Sequence, residues 1–119
     1  MSIKVKTNNP TSLINDIKKL IDEKKIDTWK YDSDGDFTHS VPQWEYHAWI
    51  RSKIVGVDEV IFSILGRNDK KMTTMEYAIY HGRFVEMLLT HFDKVCKNID
   101  VTPLPTMYDS LGKEPSHEA

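Results

Sequence analysis

The stretch Glu59–Gly66, EVIFSILG, constrains the fold of this chain more than any other. Successive side chains of a strand point to opposite faces, so a strand with one wet side alternates apolar and polar residues. Here both alternating sets are apolar apart from Ser63, the composition of a strand covered on both sides. It is expected at the centre of a sheet. The segment before it, WEYHAWIR from Trp44 to Arg51, has the period of two of a neighbouring strand. Trp44, Tyr46, Ala48 and Ile50 would face the core, with Glu45, His47, Trp49 and Arg51 on the other side. A turn around Val55, Gly56 and Val57 joins the two strands.

Upstream, IDTWKYDS and DFTHSVPQW flank the pair Asp34-Gly35, a hairpin signal because both central residues of the tightest turn need positive φ. Trp29, Tyr31 and Ser33 would share one face, as would Phe37, His39 and Val41. Pro42 cannot donate a ladder hydrogen bond, so the chain is expected to bend there. Near the start, IKVK alternates Ile3 and Val5 with two lysines, which suits a short edge strand or a frayed end.

Two helices complete the elements. Asn9 can cap and Pro10 fits the first helical position, and Leu13, Ile14, Ile17, Leu20 and Ile21 recur at helical spacing, which predicts a helix over about 10 to 25. Thr73 and Glu76 form a capping-box pattern opening a second helix over roughly 74 to 97. Its apolar residues, from Tyr77 to Cys96, cover more than half the circumference. So wide an arc implies a sheet on one side and another helix on the other, either the first helix or one from a second subunit, which makes a homodimer through the second helix an expectation. The expected architecture is a single α+β domain over 1–100: a helix, four mostly antiparallel strands and a long second helix, with the helices packed on one sheet face. Residues 101–119, with Pro103, Pro105 and Pro115, read as a surface-packed or disordered tail.

A chain of 119 residues with 39% hydrophobic residues can bury one core without staples. Cys96 is the single cysteine and the opening MSIKVKTNNP has no apolar core of a signal peptide, so a reducing, cytoplasmic setting is expected. No run of about 18 apolar residues is present, so no membrane span is expected. The 16 basic and 18 acidic residues leave a formal charge of -2, which argues against a dedicated nucleic-acid binder. No cofactor is expected.

The chemistry-bearing residues are few. Asp32, Asp34 and Asp36 alternate around Gly35 and are followed by His39, which raises the question of a metal ion. An EF-hand needs glycine at position six and a bidentate glutamate at twelve, where this chain has Phe37 and Gln43. A solvated turn is the plainer reading. His39, His47 and His81 would make a three-histidine zinc site only if distant segments converged. HExxH, paired CxxC, GxxxxGK[ST] and GxSxG are all missing. His81 falls in the apolar arc of the second helix, either as a neutral core imidazole or as a base at a pocket floor, and Gly82 beside it hints at a close neighbour. His91 and His117 read as surface residues and Cys96 as a core thiol.

With no catalytic motif, the expected function is a small cytoplasmic protein-binding module, an inhibitor, adaptor or regulator. It would act through the face carrying Glu45, His47, Trp49 and Arg51, since Trp and Arg dominate interface hot spots. The competing reading of Trp49 has it buried under the tail residues Leu104, Met107 and Tyr108. The enzyme alternative is a metal- or histidine-dependent hydrolase or lyase. It places His81 at the pocket floor, with His39 or Asp32, Asp34 and Asp36 supplying the chemistry.

Overall fold

The computed structural model describes residues 2–113, those from 110 on by their backbone. In chain order the elements are β1 (Ser2–Thr7), α1 (Pro10–Asp22), β2 (Trp29–Tyr31), β3 (Phe37–His39), β4 (Ala48–Val55), β5 (Glu59–Arg67), α2 (Thr74–Phe92), β6 (Cys96–Val101) and β7 (Ser110–Lys113). The class is α+β as expected, but four strands is an undercount. Antiparallel strands run in the order β2-β3-β4-β5-β1-β6, and β7 pairs with β5 in parallel.

β5 lies in the interior of the sheet. On one face, its Val60, Phe62 and Ile64 join a cluster with Leu13 and Ile17 of α1 and Tyr80, Phe84 and Leu88 of α2. On the other, Ile61 and Leu65 are buried, and Leu65 clusters with Tyr46 and Trp49. One edge of β5 pairs with β4 throughout its length. The other edge is divided between two strands: β1 covers Glu59 to Ser63 and β7 covers Leu65 to Arg67. At the handover the Ile64 amide donates to Asp109 Oδ1 at 2.9 Å, which gives that amide a side-chain partner between the two strands.

Where the fold departs from the sequence reading, local chemistry explains it. The first strand is neither an edge nor frayed: β1 is flanked by β5 and β6, with Ile3 and Val5 buried in the core and the two lysines exposed on the opposite face. The hairpin turn is looser than an Asp-Gly two-residue turn. Gly35 alone of the pair has positive φ, 82°, the Gly35 amide donates to the Asp32 carbonyl at 2.9 Å, and the Asp32 amide donates to that of Asp36 at 3.0 Å. This is a three-residue loop with glycine at the left-handed position. Residues 41–47 form a turn, not the first half of a strand, and Tyr46 has φ of 61°. That reversal moves Tyr46 off the core face into contact with Trp49. α1 ends at Asp22, with Lys24 in the left-handed region, and α2 stops at Phe92 so that Cys96 can begin β6.

Only part of the wide α2 arc is covered. Tyr80, His81, Phe84, Met87, Leu88 and Phe92 are buried, whereas Ala78, Gly82, Leu89 and Val95 are exposed. Of the expected tail, Thr102 donates its amide to the Ser2 carbonyl at 3.0 Å, and β7 carries the chain back to the sheet. Residues 114–119 of that tail, with His117, lie outside the described residues. No helix among the described residues is long and apolar enough to cross a membrane.

Trp49 is 0% exposed. Trp49→Ala is expected to cost about 3–5 kcal/mol in urea unfolding, the usual result of emptying a buried indole site. Val57→Ala, at an 86% exposed position, should change stability by less than about 0.5 kcal/mol. Near-equal midpoints for the two variants would contradict this packing.

Candidate functional site

The residues expected to form a recognition face are engaged with their own chain. Trp49 is enclosed by Tyr46 and Leu65 instead of presenting its ring, because the reversal at Tyr46 folds the turn back over the sheet. Glu45 pairs with Lys30 at 2.8 Å, and Lys30 also donates to the Tyr46 hydroxyl at 2.7 Å. Arg51 grips the buried Asp36 carboxylate with two bonds of 2.8 and 2.7 Å. His47 Nδ1 meets Glu76 Oε2 at 2.6 Å, while the other oxygen of Glu76 caps α2 by accepting the Thr73 amide at 2.8 Å. Burial works to raise the Glu76 carboxyl, but the hydrogen bonds from Thr73 and His47 outweigh it and hold the group below its ordinary value.

The acidic hairpin does bring Asp32, Asp34 and Asp36 together, with one oxygen of each within 4.8 Å of the others. Internal partners already use that charge. Asp32 Oδ1 accepts the amides of Asp34 and Asp36 at 3.0 Å, and Asp36 neutralises Arg51. The arrangement is that of a turn closed by its own side chains. His81 is 3% exposed, with Nδ1 2.8 Å from the Tyr77 carbonyl one turn back along α2.

His39 is placed differently. It lines a cleft of about 300 Å³ where α2 passes the β2–β3 hairpin, closed on one side by the 41–47 turn. Trp29 and Trp44 form the walls, Met87 adds an apolar patch, and Arg83 and Glu86 stand at the rim. These two are more than half exposed and 3.8 Å apart. The His39 ring is 4% exposed and packs against Trp29 at 5.0 Å and Tyr80 at 6.2 Å between centroids. Its Nδ1 accepts the Val41 amide at 3.3 Å, which assigns the ring proton to Nε2. Nε2 has no hydrogen-bond partner among the described residues. Burial first, and the nearby Arg83 charge second, hold this imidazole below its ordinary value and keep it neutral.

Trp44 is fixed from behind. The Tyr80 hydroxyl donates to the Trp44 carbonyl and lies 3.2 Å from Thr38 Oγ1, which in turn donates to the Ala48 carbonyl at 2.9 Å. The cleft wall is therefore tied to the core of α2 and to the start of β4 by a buried polar network. Aromatic walls, a neutral N–H donor and opposite charges at the rim can hold an apolar group that carries a hydrogen-bond acceptor.

Of the candidate site residues expected from the sequence, His39 alone lines this cleft. Trp44 reads there as core and His91 as surface. The one local signal was a histidine alternating with aromatic residues in a strand.

Because folding depresses the His39 value, the unfolded chain binds a proton that the native chain refuses. The resulting stability is complete above the ordinary value of 6.5 and is lost as pH falls below it. The urea midpoint of the wild type should therefore fall more between pH 7.5 and 5.5 than that of His39→Asn. Parallel curves would mean that His39 titrates alike in both states. Compared with known proteins, the chain matches no protein-family model, no curated protein and no solved structure.

Proposed function

We propose that the protein is a small non-catalytic binding module that receives an anchoring side chain of a protein partner in the cleft between α2 and the β2–β3 hairpin. The observation that carries this is the unpaired Nε2–H of His39 at the back of a cleft with two indole walls. A fixed donor in an apolar recess is a specificity element: a partner group lacking an acceptor would leave it unpaired on desolvation. Trp and Arg in a pocket are also the residue types that concentrate binding energy at interfaces. The partner anchor is an apolar or aromatic side chain bearing an acceptor oxygen, with flanking charges that meet Arg83 and Glu86. A single half-buried cysteine agrees with a reducing, cytoplasmic setting.

Binding is favoured over the hydrolase or lyase alternative because that reading now has one residue to work with. His81 is tied to a backbone carbonyl and the three aspartates are tied to their turn and to Arg51. A nucleic-acid role finds no support in the rim, where Arg83 and Glu86 oppose each other.

The test is affinity capture from a lysate of the source organism with wild-type bait, with Trp44→Ala plus Arg83→Ala, and with Val57→Ala as a control. Circular dichroism establishes that each bait is folded. The proposal expects a protein retained by wild type and control but lost at least tenfold by the cleft variant. Equal retention by all three baits would refute the cleft as the recognition site.

A further inference from the structure

Where β1 runs into α1, a pocket of about 240 Å³ opens against the segment that joins α2 to β6. Its wall mixes hydrogen-bond donors with charge: Thr7, Asn8 and Asn9 come from the β1–α1 junction, Asp16 from α1, and Lys94 and Lys97 from the opposite side. Thr7 singles this pocket out. The alternation of β1 sets it on the face of Ile3 and Val5, which pack with Leu13 and Ile17 of α1, and the residue is only 3% exposed. The Thr7 amide donates to the Asp58 carbonyl at 2.9 Å. The hydroxyl has no hydrogen-bond partner among the described residues, and its oxygen is not fully enclosed, so it reaches the pocket that Thr7 helps to line. A hydroxyl taken out of water without a bond costs stability, so one kept at a pocket wall is placed for an acceptor from outside the chain.

The rest of the wall suits an oxyanion. The N-terminus of α1 carries positive partial charge, and no acidic residue in its first turn cancels it. Asn9 caps the helix by accepting the Ser12 amide at 3.0 Å, while the amides of Asn8 and Asn9 have no acceptor among the described residues. Backbone amides at the start of a helix receive phosphate readily. Lys94 and Lys97 are exposed and enter no ion pair among the described residues, and Asp93, adjacent to Lys94, does not line the pocket. Both ammonium charges are therefore free for a ligand. Asp16 is the one carboxylate in the wall, and it would repel a purely anionic ligand but attract a cationic group attached to the anion. Two ammonium groups and one carboxylate complement a phosphate of charge about −1.5 to −2 that carries one ammonium group of its own.

We propose that this pocket binds a small phosphomonoester bearing a nearby amino group. The phosphate is held by the Thr7 hydroxyl, the Asn8 and Asn9 amides and the two lysines, and the amine by Asp16. The pocket shares no lining residue with the cleft around His39, so this inference stands independently of the proposed partner site.

The experiment titrates the full chain with O-phosphoethanolamine, inorganic phosphate and ethanolamine at constant ionic strength, and follows the backbone amides by NMR. O-Phosphoethanolamine should bind saturably and move the Asn8 and Asn9 amides most. Inorganic phosphate should act on the same amides several-fold more weakly, and ethanolamine should leave them unmoved. Thr7→Val, which keeps the shape and removes the hydroxyl, should weaken O-phosphoethanolamine about fivefold, whereas Thr7→Ser should retain it. Lys94→Gln plus Lys97→Gln changes two exposed side chains, so the fold should persist while both phosphates bind about tenfold more weakly. Asp16→Asn should remove the preference for O-phosphoethanolamine over inorganic phosphate. Shifts that scatter over the surface without saturating, wild-type affinity in the double lysine variant, wild-type affinity in a folded Thr7→Val, or a wild type that does not prefer the amine-bearing ligand would each overturn the proposal.

Discussion

Much of this molecule hangs on the hydroxyls of Thr38 and Tyr80, which meet inside the core at 3.2 Å. Both are buried, and each reaches a backbone carbonyl, that of Ala48 for Thr38 and that of Trp44 for Tyr80. The Tyr46 amide also donates to Thr38 Oγ1, at 3.3 Å. Together these bonds join β3, α2, the 41–47 turn and the start of β4. A buried hydroxyl without a partner is costly, so the network is stable only with the turn in one position. That position sets Trp44 as a cleft wall, brings His47 to Glu76 and carries Tyr46 over Trp49. Removal of the Thr38 hydroxyl would take these bonds from the Tyr46 amide and the Ala48 carbonyl, and removal of the Tyr80 hydroxyl would take its bond from the Trp44 carbonyl.

Elements governed by short-range chemistry were legible in the sequence. Asn9-Pro10 starts α1, the Thr73 and Glu76 capping box starts α2, and both bonds of the box are present. β5 could be recognised because burial on both faces leaves no room for alternation. β6 was hidden: Lys97, Asn98 and Asp100 are exposed and a register shift opposite Lys6 and Thr7 interrupts the alternation, leaving Cys96, Ile99 and Val101 too thinly spaced to mark a strand. Helical periodicity running on from Phe92 through Val95 and Cys96 disguised the break.

The 41–47 turn was illegible for a different reason. WEYHAWIR has the hydrophobic pattern of a strand, and only Ala48 onward becomes one. A tertiary bond network, with φ reversed at Tyr46, overrides the local pattern, and no residue in the segment announces a left-handed conformation. The cleft inherits that difficulty. Its walls and rim come from the hairpin, the turn and the far half of α2, and in each segment those residues look like core or ordinary surface. Arg83 and Glu86 acquire meaning only when His39 is placed beneath them.

The divided edge of β5 ties the two ends of the chain together. β1 pairs with β5 and with β6, setting Ile3 beside both Phe62 and Val101, and β7 then fills the rest of the same edge. The first strand thus bonds to partners that lie half a chain and nearly a full chain away. During synthesis it can only wait: Ile3 and Val5 emerge well before β6 and find their second neighbour only when that strand has left the ribosome. Local pairs such as β4 with β5 can form early, but the sheet closes across the longest loops available to the chain. Loop-closure entropy must be met before such distant pairings reward it, so the pairing of β1 with β5 and β6 slows folding relative to a fold of local contacts.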